Sequence, residues 1–162
     1  MRFFEPVRIE LERYDDGVHE VPPGASAGAV GEVERRLGTL PEEYASFLRS
    51  YDGLVSSELI AVESARTIDR LRLQGSLTIE EAAARLRTVN AWLEAIDLVL
   101  VRTPVLSRAS EPMPMTLGTL NALHLATALL WRDRVGPLPT LATHDTALGQ
   151  AAQAFGFDVH GI

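Results

Sequence analysis

The sequence predicts an α/β fold, a parallel sheet with helices on both faces, truncated or atypical at its N-terminus. Three observations carry that prediction. From residue 54 to 162, strand-sized apolar runs alternate with helix-length segments, the order expected of a helix-covered parallel sheet. Those helical segments carry start and stop signals at the expected places. Residues 1–53 have a different pattern and a different charge, 11 acids against 6 bases, where 54–162 hold 11 against 9. The chain therefore divides into an atypical N-terminal segment, 1–53, and an α/β domain, 54–162.

In the N-terminal segment, Val7 to Tyr14 alternates apolar with charged residues and predicts a half-exposed strand. Asp15-Asp16-Gly17 suits a turn, with Val18 to Val21 pairing back as a hairpin. Pro22-Pro23-Gly24 breaks regular structure. Gly31 to Leu37 reads as a helix stopped by Gly38. Pro41 opens a second helix, with Tyr44, Phe47, Leu48 and Tyr51 on one face, a pattern of core packing.

In the domain, Leu54-Val55 starts a strand, and Ser56 or Ser57 caps a helix from about Glu58 to Leu73 that stops before Gly75. Thr78 with Glu81 three residues on forms a capping box for the next helix. Its apolar stripe is Ala82, Leu86, Val89, Trp92 and Leu93, continued by Ile96. Ile96 to Val101 reads as a buried strand. Pro104, Pro112 and Pro114 predict loop around a single short helical turn. A helix from Thr119 or Leu120 to about Trp131 follows, then a strand at 140–143, a helix at 146–154 and a strand at Phe157-Asp158-Val159.

Bulk properties narrow the function classes. Net charge is −7, which disfavours a broad electrostatic grip on nucleic acid. The absence of cysteine removes disulfides and thiolate sites and fits a cytoplasmic location. No apolar run suits a membrane span, and Met1 to Pro6 lacks the apolar stretch of a secretory signal. Neither a G-x-G-x-x-G nor a P-loop pattern is present, and no G-x-S-x-G places a nucleophile.

Three residues stand where a parallel sheet gathers ligands, beyond the carboxyl ends of its strands. Asp145 follows the 140–143 strand, and reads either as a metal ligand or as a helix cap. Glu63 lies among Leu59, Ile60 and Val62, an odd place for an acid unless it faces a polar cavity. Asn121 is in the first turn of its helix, where an amide is ordinarily a cap. Thr143 offers a hydroxyl to a water or to the loop. His124, on an Ala- and Leu-rich helix, reads as a hydrogen-bonded core histidine, and its spacing from His144 does not suit zinc.

The run Leu117-Gly118-Thr119-Leu120-Asn121-Ala122-Leu123-His124-Leu125-Ala126-Thr127-Ala128 resembles the signature helix of the PIN domain, in the VapC-like branch of toxins from toxin–antitoxin pairs. Ala142-Thr143-His144-Asp145 with Leu148, Ala151, Ala152, Gly156 and Val159 resembles that family's closing strand–helix–strand. Ser56-Ser57-Glu58-Leu59-Ile60-Ala61-Val62-Glu63 resembles its earlier acid-bearing block. The resemblance covers 54–162, about two-thirds of the chain.

It implies a ribonuclease site using Mg²⁺ or Mn²⁺, with Glu63 and Asp145 as ligands, Asn121 at a place normally held by an acid, and Ser57 and Thr143 in support. It also implies an RNA substrate and an antitoxin protein as partner, and the Ala/Leu-rich helices suggest a homodimer. The family's first acid has no counterpart on an opening strand; Asp15 or Asp16 is the candidate substitute. With an amide at 121, hydrolysis is expected to be reduced or lost, and a catalytically inactive protein-binding or immunity-type module is the alternative. Leu40 to Gly53 resembles the start of the SMI1/KNR4 fold, some of whose members are immunity proteins.

Overall fold

The computed structural model describes residues 54–136 and 140–162. The strand, hairpin and helices expected within 1–53 lie outside the described residues, as do Asp15 and Asp16. The element order is β1 (Val55–Ser57), α1 (Leu59–Leu73), α2 (Ile79–Leu93), β2 (Asp97–Val99), α3 (Thr103–Ala109), α4 (Thr119–Val135), β3 (Thr140–Ala142), α5 (Thr146–Ala154) and β4 (Asp158–His160). The mixed α/β class with parallel strands is the one expected.

Both strand pairs are parallel. β1 lies beside β2 with Val55 opposite Asp97, and β3 beside β4 with Thr140 opposite Asp158. Among the described residues these are two separate two-stranded sheets. Every strand is three residues long, so β2 is shorter than the expected 96–101. The last strand starts one residue late, which leaves Phe157 before it, buried in the core.

Local signals fix the helix ends. The Thr78 hydroxyl accepts from the Glu81 N–H at 3.1 Å, and the Glu81 carboxylate accepts from the Thr78 N–H at 2.8 Å. These two bonds satisfy donors that a helix start leaves open, and the Thr78 N–H, then the Thr78 hydroxyl, hold the Glu81 carboxyl below its ordinary range. α1 and α5 each end on a left-handed glycine, Gly75 at φ 74° and Gly156 at φ 83°. At Gly156 the N–H of Phe157 bonds Ala152 O and that of Gly156 bonds Gln153 O. This double closure needs a positive φ that a side chain resists.

Two expectations are corrected. The proline-marked stretch holds a seven-residue helix, α3, rather than a single turn: Pro104 occupies its first turn, where a missing N–H costs nothing. α4 runs four residues beyond Trp131, and its N-cap is Gly118, so Asn121 is not its cap.

The main core joins Leu125 and Leu129 of α4, Leu148, Ala151 and Ala152 of α5, and Phe157. Arg132 near the end of α4 lies over the Phe157 ring at 4.9 Å and donates to Phe155 O, fastening the two helix ends together. A second cluster, Ile68, Leu77 and Ala82 with Leu71, Leu86 and Val89, packs α1 on α2. It uses the predicted α2 stripe, and Trp92 packs with Ala91 and Ala95. Replacing Thr78 by Ala is expected to cost about 1 kcal/mol, the usual loss for a helix cap, seen as a lower urea midpoint at pH 7 with an unchanged m-value.

Candidate functional site

A cavity of about 480 Å³ is bordered by residues 54–57, residues 140–143, one face of α4, and parts of α1 and α5. α4 contributes Asn121, His124, Ala128 and Trp131, spaced three, four and three residues apart, which is one helical stripe. α1 contributes Ile60 and Glu63, again a three-residue step. Asp145 enters from the turn after β3. Three sequence blocks separated by dozens of residues thus meet at one opening.

Glu63, flagged in sequence as an acid needing a polar cavity, has one. Its Oε2 lies 2.6 Å from His124 Nε2, with the two side chains 38% and 19% exposed. A carboxylate only accepts, so the ring proton sits on Nε2 and is donated to Glu63. His124 is hydrogen-bonded as expected, but it faces the cavity rather than filling a closed core. Its place was open to sequence reasoning, since it follows Asn121 by three residues on the same helix.

Asp145 is the N-cap of α5. Its Oδ1 accepts from the Leu148 N–H at 2.8 Å, and its own N–H donates to the Thr143 hydroxyl at 3.0 Å. Thr143 therefore fixes the loop. The Leu148 N–H, then the Asn121 side-chain amide, then the Ala147 N–H hold the Asp145 carboxyl below its ordinary value. Asn121 thus stands near the acid it was expected to stand beside.

Ser57, 2% exposed, accepts from the Leu59 N–H at 3.3 Å. The cap position itself belongs to Glu58, one residue later than expected. The Glu58 N–H donates to Val99 O at 2.9 Å, and its Oε1 accepts from the Val101 N–H at 2.7 Å. Glu58 thereby ties the start of α1 to the end of β2. Sequence reasoning missed this role, and nothing local in the sequence marks it.

The donor set bears on the expected metal. Among the described residues, no three acids or histidines gather closely enough to hold an ion. Glu63 already accepts from His124, and Asp145 accepts from the Leu148 N–H as a helix cap. Asn121 offers a neutral oxygen. These residues alone do not fit a catalytic Mg²⁺ site, which depends on free anionic oxygens. No family model, curated protein or solved structure matches the chain.

Capping and charge separate by substitution at Asp145. Asp145→Ala is expected to cost about 1 kcal/mol, whereas Asp145→Asn keeps a good cap and costs a few tenths. Because the folded carboxyl titrates below its ordinary value, its ionic stabilisation is present above the unfolded pKa and is lost as pH falls through the folded one. Urea midpoints of wild type and Asp145→Asn should therefore converge as the pH is lowered from 7 to about 2.

Proposed function

We propose that residues 54–162 are a PIN-like domain related to metal-dependent ribonuclease toxins, in which hydrolysis of RNA phosphodiesters is reduced or lost. The observation that carries this reading is the meeting of Glu63, Asn121 and Asp145 around one cavity. They come from the three blocks whose residues resemble that family's site. The placing of Asn121 beside Asp145 on that cavity, where it helps lower the Asp145 pKa, supports a place once held by two acids. An aspartate there would set two carboxylates side by side, which repel without a cation and bind one together. With the amide, that repulsion is absent.

In this reading Glu63 and Asp145 are what remains of a Mg²⁺ or Mn²⁺ site, with Asp15 or Asp16 as the candidate substitute for a missing acid. Ser57 and Thr143 hold the surrounding backbone. The partners that follow are RNA, an antitoxin protein across the cavity and a second copy of the chain, in a cytoplasmic setting; no helix among the described residues is long and apolar enough to cross a membrane. The hydrogen bonds already made by both carboxylates favour the alternative of an inactive binding module over a vigorous enzyme.

The decisive experiment compares purified wild type, Asp145→Asn and Asn121→Asp for RNA cleavage and thermal stability with and without Mn²⁺. Wild type is expected to cleave weakly or not at all. Asn121→Asp is expected to be less stable than wild type without metal and to gain stability on adding Mn²⁺, since an ion bound only by the folded state raises the melting temperature. Indifference of Asn121→Asp to Mn²⁺ would sink the proposal. So would strong wild-type cleavage that survives Asp145→Asn.

A further inference from the structure

Residues 160–162 meet the turn after β3 at two points and the helix that follows it at a third. β3 and β4 pair with Ala142 opposite His160, and one step on the Thr143 N–H donates to His160 O at 2.9 Å. His144 Nδ1 then lies 2.9 Å from Gly161 O. A carbonyl only accepts, so the ring proton sits on Nδ1. The third point is the Ile162 side chain over Gly149 of α5. A carbon placed on Gly149 would stand 2.5 Å from Ile162 Cδ1 and 3.2 Å from its Cγ1 and Cγ2. Ile162 therefore packs where a side chain on α5 would otherwise be.

Gly161 is fitted to this close approach. Its φ of 106° is one that side chains rarely adopt. A side-chain carbon there would also stand 2.6 Å from Thr143 O, closer than non-bonded atoms tolerate. From the turn, the contacts run on to the edge of the cavity. The Asp145 N–H donates to the Thr143 hydroxyl, and Asp145 Oδ1 accepts from the Leu148 N–H. Thr143 and Asp145 both line the cavity. Residues 160–162 alternate between half-buried and exposed positions along β4 and are exposed at 160, 161 and 162 themselves. Such a segment opens at a lower free energy than the core does.

We propose that residues 160–162 form a strap that sets Asp145 at the edge of the cavity. Docked, the strap holds the 143–145 turn and the start of α5 as one piece. Lifted, it releases the turn and the helix cap together. His144 and Gly161 are then positioning residues for Asp145, and a change at the strap is felt at the cavity while the α4 core stays folded. The inference needs neither a metal nor nuclease descent, and it stands or falls apart from the proposed function.

Amide hydrogen exchange on the full chain tests it. In the wild type, Thr143, Asp145 and Leu148 are expected to be protected to the same degree, and less than Leu125 and Leu129. Gly161→Ala is expected to speed exchange at all three together by at least about tenfold while Leu125 and Leu129 keep their protection, the mark of a local opening. Ile162→Ala, which introduces no clash, is expected to act in the same direction by less. His144→Ala is expected to speed all three as well. His144→Asn, whose amide N–H takes nearly the place of the ring N–H, is expected to restore most of the protection, which a mere loss of packing would not allow. Acceleration confined to Thr143 would overturn the proposal, since residues 160–162 would then be a frayed strand end. Unchanged exchange at Asp145 and Leu148 would overturn it too. If Gly161→Ala speeds the core as well, the two His144 variants decide: equal exchange in Ala and Asn rejects the strap.

Discussion

The described elements are organised around the burial of α4 on more than one side. It packs against β1, α3 and α5, and Leu125, Ala126 and Leu129 are each at most 1% exposed. A helix held against a single layer shows a clear apolar stripe, whereas one enclosed on several sides is apolar nearly all round. The sequence Thr-Leu-Asn-Ala-Leu-His-Leu-Ala-Thr-Ala-Leu-Leu is of the second kind. Alanines at 122 and 126 allow close approach, and extra methylenes there would overpack the core. α4 touches both β1, which leads into the helix of Glu63, and α5, which Asp145 caps. The two polar residues near its start, Asn121 and His124, are thereby committed to the cavity between them.

That commitment explains the chemistry at the opening. Polar groups brought to a partly buried place must find partners. His124 finds Glu63, and Asn121 lies near Asp145, whose pKa it helps lower. The first pairing satisfies groups that would otherwise call for water or an ion. The cavity is therefore lined mostly by apolar side chains, with its few polar groups near partners, a state more suited to holding shape than to gathering cations.

Much of this was legible in the sequence because it is local. The box of Thr78 and Glu81, the stop at Gly75, the α2 stripe and the cap at Asp145 all involve residues within a few positions of one another. What was not legible is non-local. Glu58 reads as an ordinary first-turn acid, yet it reaches 43 residues along the chain to Val101. His124 reads as core until Glu63, 61 residues away, is placed opposite it. The three prolines between 104 and 114 concealed α3, since a proline that breaks one helix begins another. Nor did the run of alternating elements disclose that the described strands form two separate pairs.

The capping role of Asp145 has a consequence for how such sequences diverge. An acid that closes a helix is retained by selection for folding alone, long after any demand for catalysis has gone. Asn121 caps nothing, so its identity is free to follow whatever chemistry the opening performs. The aspartate at 145 therefore answers first to folding. Position 121 carries no such duty to the helix end and answers to the cavity alone.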